Sequence, residues 1–302
     1  MNERNVANKT RIIKRVLQAL LIVVIFYFLA KNLYVNWNKI VKYDWNINYY
    51  FLTYSFLLWI IGSILLALGW NLILRVLGGK LSNKKALKIF FITDLAKYVP
   101  GKVWTMIGKV YLCAKEGIPI AKTSASVVIQ PMIQVITGIL MFLVSLPFWT
   151  KTNDFVNNLY LFLPLIPLGL ILLHPAIMGK LLNFVLTRLK QKPIELNIKY
   201  TDLLLILVLW CGLWALTGVT FYFLIISVHS FPVSRLPVTI GIFSIAGISQ
   251  FLTPSGIGVL EGVLTVLLSL HLPVPIAILI ALLARVWKTV TELICVAITV
   301  KF

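Results

Sequence analysis

Apolar stretches longer than a bilayer core alternate along this chain with short polar breaks. Residues 46–74, 123–150, 155–179 and 203–234 contain no charged side chain, and each exceeds the roughly 20 residues that a helix needs to cross a hydrocarbon core. A shorter apolar run, Val16–Ala30, lies near the start, and another follows residue 270, so about six full spans are expected. Hydrocarbon offers the backbone no hydrogen-bond partner, so only helices or a closed barrel can span it. Runs of this length exclude the short alternating strands of a barrel. The pattern predicts an all-α, polytopic integral membrane helical bundle.

Two apolar regions do not fit an unbroken span. Residues 85–111, KALKIFFITDLAKYVPGKVWTMIGKVY, are interrupted at Pro100-Gly101. Residues 236–270 are interrupted at TPSGIG, 253–258, where Pro254, Ser255 and Gly256 precede Glu261. Proline removes a backbone donor and glycine loosens the chain, and amides freed at membrane depth need cover from protein or a wet cavity. Each region is read as a re-entrant broken hairpin.

Basic residues set the expected orientation. Arg4, Lys9, Arg11, Lys14 and Arg15 precede the first run, and Arg75–Lys115 carries nine more basic residues, which places both segments in the cytoplasm. The first run is then an anchor helix, since Phe28-Leu29-Ala30 is too bulky for a signal peptidase site. A span near 123–149 leads out, and one near 157–178 returns to a basic loop with Lys180, Arg188, Lys190, Lys192 and Lys199. One near 202–228 leads out again, and both termini are cytoplasmic. Loops 150–156 and 229–235 hold only Lys151, Asp154 and Arg235 as charges, which agrees with an outside location. Loop 31–45 runs against the bias with Lys31, Lys39, Lys42 and Asp44, but its flanking segments are more basic. The expected location is the cytoplasmic (plasma) membrane. A single membrane domain, 1–302, divides into an anchor helix and loop (1–45), a first unit (46–150), a linking span with its basic loop (151–200) and a second unit (201–302).

Composition agrees. The chain is 60% hydrophobic and 12% charged, against an apolar share of about 45 to 50% in soluble domains. Its net charge of +19, from 28 Lys and Arg against 9 Asp and Glu, would point to nucleic acid in a soluble protein. Here the basic residues flank apolar spans, so they read as topology signals and contacts to anionic headgroups, with no nucleic-acid partner. Cys113, Cys211 and Cys295, odd in number and set in apolar surroundings, read as small core residues. His174, His229 and His271 are scattered and suggest no metal site, and no cofactor is expected. Trp37, Trp45, Trp104 and Trp149 sit near predicted span ends or breaks and are expected to anchor at the interface.

The two interruptions occupy matching places in two halves of the chain. Leu58-Trp59 with Gly62 answers Leu209-Trp210 with Gly212. Pro100-Gly101 answers Pro254 and Gly256, and Ile118-Pro119-Ile120-Ala121 answers Val274-Pro275-Ile276-Ala277. Each unit is span, broken hairpin, span, and the extra span between them turns the second over, so an inverted-topology repeat is expected. Such repeats point to a transport site near the midplane.

Glu261, Arg285, Lys288 and Glu292 lie in otherwise apolar sequence, where a charge at a helix centre costs about 2.5 to 3.5 kcal/mol on insertion scales. Arg285, Lys288 and Glu292 are spaced to share one helical face that can turn inward. Two readings stand side by side. Either these groups line a polar cavity for a phosphate or other headgroup, with helix N-termini at the breaks facing the anion, or they form structural pairs such as Glu261 with Arg285 or Lys288 with Glu292. For Lys97, Lys102 and Lys109 the competing reading is snorkelling to the interface.

The segments PGKVWTMIGKVYLCAKEGI (100–118), TPSGIGVLEGVLTVLLSL (253–270) and ALLARVWK (281–288) resemble the flippase-like membrane domain of bacterial lysylphosphatidylglycerol synthases. The resemblance covers nearly the whole chain, and the second motif is the more specific. It implies that Glu261 and Arg285 belong to a lipid path. The first motif departs from the usual form, with Lys109 where arginine is common and Lys102-Val103-Trp104 in place of a glycine-richer turn, which leaves headgroup specificity open. The sequence ends at Phe302, so a stand-alone membrane domain without the aminoacyl-transferase domain is expected.

The expected function is translocation or binding of an anionic or lipid-linked headgroup, not catalysis. The candidate lipid path comprises Lys97, Pro100, Gly101, Lys102 and Lys109 in the first unit. In the second it comprises Pro254, Ser255, Gly256, Glu261, Arg285, Lys288 and Glu292. A transferase with Glu261 as general base is the rival, although no nucleotide motif, Asp-x-Asp pair or nucleophile set accompanies it. An ion-coupled carrier is the third reading. Membrane lipids are the expected partners, and a lipid-modifying enzyme, soluble or membrane-bound, is left open as another.

Overall fold

Charge-free sequence becomes long helix wherever no proline or glycine interrupts it. The computed structural model describes residues 47–98, 103–149, 175–188, 199–252 and 258–301, with isolated positions at 34, 164 and 167. Among these residues the chain forms nine α-helices and no strand. The first unit contains α1 (Tyr49–Val76), α2 (Asn83–Asp94), α3 (Val103–Lys115) and α4 (Ile120–Ser145). After α5 (Pro175–Arg188), the second unit contains α6 (Tyr200–Val228), α7 (Leu236–Ser249), α8 (Val259–Leu268) and α9 (Val274–Val300). One-turn 3-10 segments, Leu95–Tyr98 and Gln250–Leu252, prolong α2 and α7. The expected anchor helix, the 31–45 loop, most of the 157–178 span and the breaks at Pro100-Gly101-Lys102 and Pro254-Ser255-Gly256 lie outside the described residues.

Four helices, α1, α4 with its 146–148 extension, α6 and α9, are long and apolar enough to cross a membrane. Local signals set their ends. Asn48 caps α1, its Oδ1 accepting from Tyr50 N at 3.1 Å and Phe51 N at 3.3 Å. At the other end Gly78, at φ +80, takes the left-handed turn that sends the chain into α2. Pro119 and Pro273 are the N-caps of α4 and α9, with nearly equal backbone angles. The other four helices of the two units, of 10 to 14 residues, reach only about 15 to 21 Å. That is short of a hydrocarbon core of about 30 Å.

The surface of the bundle is apolar, unlike that of a soluble protein, and several polar side chains lie inside. Leu57, Ile61 and Leu65 of α1 and Val286, Val290 and Leu293 of α9 are exposed, whereas Ser55, Thr137, Thr220, Thr291 and Glu292 are buried. Such a surface is stable in lipid. Thr137 and Thr220 satisfy their hydroxyls within their own helices, Thr137 Oγ1 donating to Ile133 O at 2.7 Å and Thr220 Oγ1 to Leu216 O at 2.8 Å. Because lipid supplies no hydrophobic drive between helices, packing depends on close approach through small residues. A Cβ added to Gly218 on α6 would lie 2.5 Å from Ile240 Cα on α7, and one on Gly69 would lie 2.8 Å from the Trp210 ring.

The helices of the two units pack in matching pairs. α1 lies along α6, α2 packs on α9 as α7 packs on α4, and α3 covers α4 as α8 covers α9. The central pair is antiparallel: Asn48 N donates to Ser227 O at 2.8 Å, Ser55 Oγ donates to Thr220 O at 3.0 Å, and Gly69 meets Trp210. α2 and α3 form a hairpin whose base carries the Lys85–Glu116 ion pair and whose upper part brings Thr93 against Gly108.

Three details differ from the sequence reading or refine it. The helix at Pro175–Arg188 runs through Lys180, where a loop is expected, because Leu182 is fully buried in the core beside α4 and continues the helix. Trp149 is an inward anchor and not an interfacial one. It is 2% exposed, its Nε1 donates to Ser145 Oγ at 3.1 Å, and its ring meets His271 with centroids 5.6 Å apart. Cys113 and Cys295 are buried in one apolar cluster, whereas Cys211 is half-buried.

His271 sits in the turn between α8 and α9, with Arg235 Nη1 3.4 Å from its Nδ1. Since arginine only donates, Nδ1 accepts and the proton is on Nε2. Burial, and next the Arg235 charge, pull this imidazole from 6.5 down to about 4. Between those values the unfolded chain binds more protons than the folded one, so stability is lost as pH falls through the window. Thermal unfolding in detergent is expected to show a steeper acid loss for the wild type than for His271→Gln, and equal slopes would remove His271 as the source.

Candidate functional site

Between α1 and α6 the two units leave a hollow. One lobe, of about 120 Å³, is lined by Trp59, Gly62, Ser63 and Leu66 of α1 and by Trp210, Leu213, Trp214 and Thr217 of α6. Both sets follow the one-face spacing of a helix, and they occupy matching places in the two units. Phe90 and Asp94 of α2 and Phe243 and Gly247 of α7 form further walls, with Gln134 of α4 and Lys288 of α9. The cavity therefore lies between α1 and α6, walled by one face of each together with α2, α4, α7 and α9.

A second lobe, of about 340 Å³, shares Asp94, Gln134, Gln250, Lys288 and Glu292 and extends into the first unit past Thr105, Lys109 and Gln130. Pro131 and Val127 also line it. Pro131, inside α4, has no N–H to offer the carbonyl one turn back, at Val127, so the helix lacks that backbone hydrogen bond at the cavity wall. The continuous cavity thus holds two carboxylates, two ammonium groups and three amides within apolar helices.

Each charged group has specific support. Lys288 Nζ donates to Gln250 Oε1 at 2.9 Å. Lys109, 5% exposed, donates to Gln130 Oε1 at 3.3 Å, and its Nζ lies 4.1 Å from the Phe90 ring centroid and 4.7 Å from that of Trp70. Aromatic faces attract a desolvated cation by about 2 kcal/mol, which helps to hold this lysine inside the bundle. Glu292 is 8% exposed on α9, and Val290 and Leu293 beside it are turned to the lipid.

Glu261 and Arg285 are placed differently. Glu261, 3% exposed, is the third residue of α8; its Oε2 accepts from Gly258 N at 2.8 Å and so caps the start of the helix, and its Oε1 stands 3.5 Å from Arg285 Nη1. Neither residue lines the central cavity. This pair pins α8 to α9. Glu261→Ala is expected to cost about 2 to 4 kcal/mol through the lost cap and the stranded guanidinium. Pairing it with Arg285→Met is expected to restore part of that loss. Unfolding midpoints of the two variants check this, and a double variant no more stable than Glu261→Ala would deny the ion pair a role.

Of the residues expected from the sequence, the structure brings Lys109, Lys288 and Glu292 to the cavity and sets Glu261 and Arg285 beside it. Lys97 lies on the 3-10 turn after α2, and Pro100, Gly101, Lys102, Pro254, Ser255 and Gly256 fall outside the described residues. Asp94, Gln130, Gln134 and Gln250 were not singled out. Two signals point to them: Gln130 and Gln134 lie one turn apart on an apolar helix, and Asp94 is the sole carboxylate in 85–111.

The chain belongs to the family of the lysylphosphatidylglycerol synthase transmembrane region, whose model matches residues 15–295. No curated protein matches it.

Proposed function

We propose that this member of the lysylphosphatidylglycerol synthase membrane family moves an anionic phospholipid or lipid-linked headgroup across the cytoplasmic membrane through the cavity between its two units. The observation that carries this reading is a charged cavity between α1 and α6, lined also by α2, α4, α7 and α9, at the depth of the spanning helices. Charged groups are costly there and are kept where they line a path.

The antiparallel pairing of α1 with α6 supports an inverted repeat. These helices hold the same place in their units, so the rotation relating the units must reverse the helix direction, and its axis lies across the helices. With the helices along the membrane normal, the two units face opposite sides, and the short pairs α2–α3 and α7–α8 become re-entrant hairpins entering from opposite faces. Lys109 and Lys288 are the phosphate-facing groups, and Asp94, Glu292 and the glutamines bond the remaining polar atoms of the headgroup. Membrane lipids are the partners, and both termini are cytoplasmic.

Reconstitution into vesicles carrying headgroup-labelled lipids tests this. Accelerated flip-flop of phosphatidylglycerol or another anionic lipid is expected, and no acceleration for any lipid tried would sink the proposal.

A further inference from the structure

A second hollow, apart from the central cavity, lies in the groove between α1 and α6 and has a volume of about 430 Å³. Arg75, Asn71 and Asn83 close one end, and the remainder is leucine with two glycines, Gly69 and Gly212. No carboxylate lines it. We infer that this groove binds one phospholipid from the leaflet on the Arg75 side, with the phosphate on Arg75 and an acyl chain along the apolar wall.

The polar end is built to receive a headgroup. Arg75 Nη2 donates to Leu81 O at 3.1 Å and to Asn83 Oδ1 at 2.8 Å. These contacts fix the guanidinium against the turn after α1 and leave other members of its five-donor fork for phosphate oxygens. Asn71, 1% exposed, donates through Nδ2 to Leu81 O at 3.3 Å and to Asn83 Oδ1 at 3.0 Å. Its Oδ1 has no hydrogen-bond partner among the described residues. A buried acceptor in that state calls for a donor, which a glycerol hydroxyl or an ammonium on the headgroup carries and bare phosphate at neutral pH supplies poorly. Basic pockets between spanning helices are a known setting for anionic headgroups.

The apolar end has the dimensions of a lipid tail. From Arg75 back to Leu65 the groove follows α1 for about 15 Å, which is half of a hydrocarbon core of about 30 Å and hence one leaflet. A Cβ added to Gly212 would meet no atom of the described residues within 4 Å, so this glycine leaves open space where a chain can lie. The charge bias assigns the Arg75 end to the cytoplasmic leaflet.

This site does not rest on the transport reading, and a protein inactive in flip-flop would still hold its lipid. Native mass spectrometry of the full chain titrated with phosphatidylglycerol tests it. Arg75→Gln and Gly212→Leu are each expected to weaken one bound lipid at least tenfold, whereas Lys85→Met, at an exposed lysine outside both hollows, leaves that lipid in place. Gly212→Leu decides the matter if Arg75→Gln fails to fold, because the added side chain enters open space. Retention equal to wild type in Gly212→Leu would overturn the inference. So would a disulfide, on a Cys211→Ser background, between Gly212→Cys and a cysteine substituted within residues 16–30, since the groove would then belong to the chain's own first apolar run.

Discussion

Gly218→Val is expected to be the most damaging single substitution in the bundle. The Cβ it adds would stand 2.5 Å from Ile240 Cα and 2.6 Å from Ile240 Cγ1, so backbone must give way and no side-chain rotation relieves the clash. Overpacking ordinarily costs about 1 to 3 kcal/mol, and a backbone contact places this variant at or above about 3 kcal/mol. α6 and α7 would separate at the point that holds the second unit together, with the cavity wall at Phe243 and Gly247 displaced as well. Size-exclusion profiles and unfolding midpoints in detergent should show the loss. Gly212→Ala, on the same helix with nothing within 4 Å of the new atom, should be neutral or gain about 0.5 to 1 kcal/mol from helix propensity. If both variants behave alike, close approach at Gly218 is not what joins these helices.

Lys288→Met is expected to lower lipid flip-flop by about 10- to 100-fold while leaving the fold intact. The ammonium bonds Gln250 across the cavity where both lobes meet. A hydrogen bond to a charged group contributes about 1.5 to 3 kcal/mol, which at about 1.4 kcal/mol per decade gives that range. Methionine keeps the length and apolar stem of the side chain, so a defect would report the charge. Lys288→Arg should retain most activity and Glu292→Gln should fall between. Rates measured by chemical quenching of outer-leaflet label, with unfolding midpoints alongside, separate transport from folding. Unchanged rates in both Lys288→Met and Glu292→Gln would remove this cavity from the lipid path.

The fold class was legible because its physical cause is local. Charge-free runs at 46–74, 123–150 and 203–234 had no stable alternative to helix in lipid, and the spans Tyr49–Val76, Ile120–Phe148 and Tyr200–Val228 follow them closely. The paired short helices on either side of Pro100-Gly101 and of TPSGIG were legible for the same reason, since proline and glycine act on their own backbone. Spacing alone put Arg285, Lys288 and Glu292 on one helical face.

The rest depended on what meets across the bundle. Nothing near Lys109 in sequence reveals that Phe90, Trp70 and Gln130 surround its ammonium, and so the choice between snorkelling outward and lying buried belongs to packing. Gln134 and Gln250 carry no charge, which makes them inconspicuous in an apolar sequence until α4 and α7 bring them beside Lys288. Glu261 and Arg285 were recognisable as a costly pair, but only the helix ends placed one on a cap and the other opposite it. By itself the sequence determined the solvent, the helices and their interruptions, because those follow from each segment's own free energy in lipid. The tertiary structure decided which polar groups share the cavity and which hold the frame, because that depends on close contacts between helices distant in sequence.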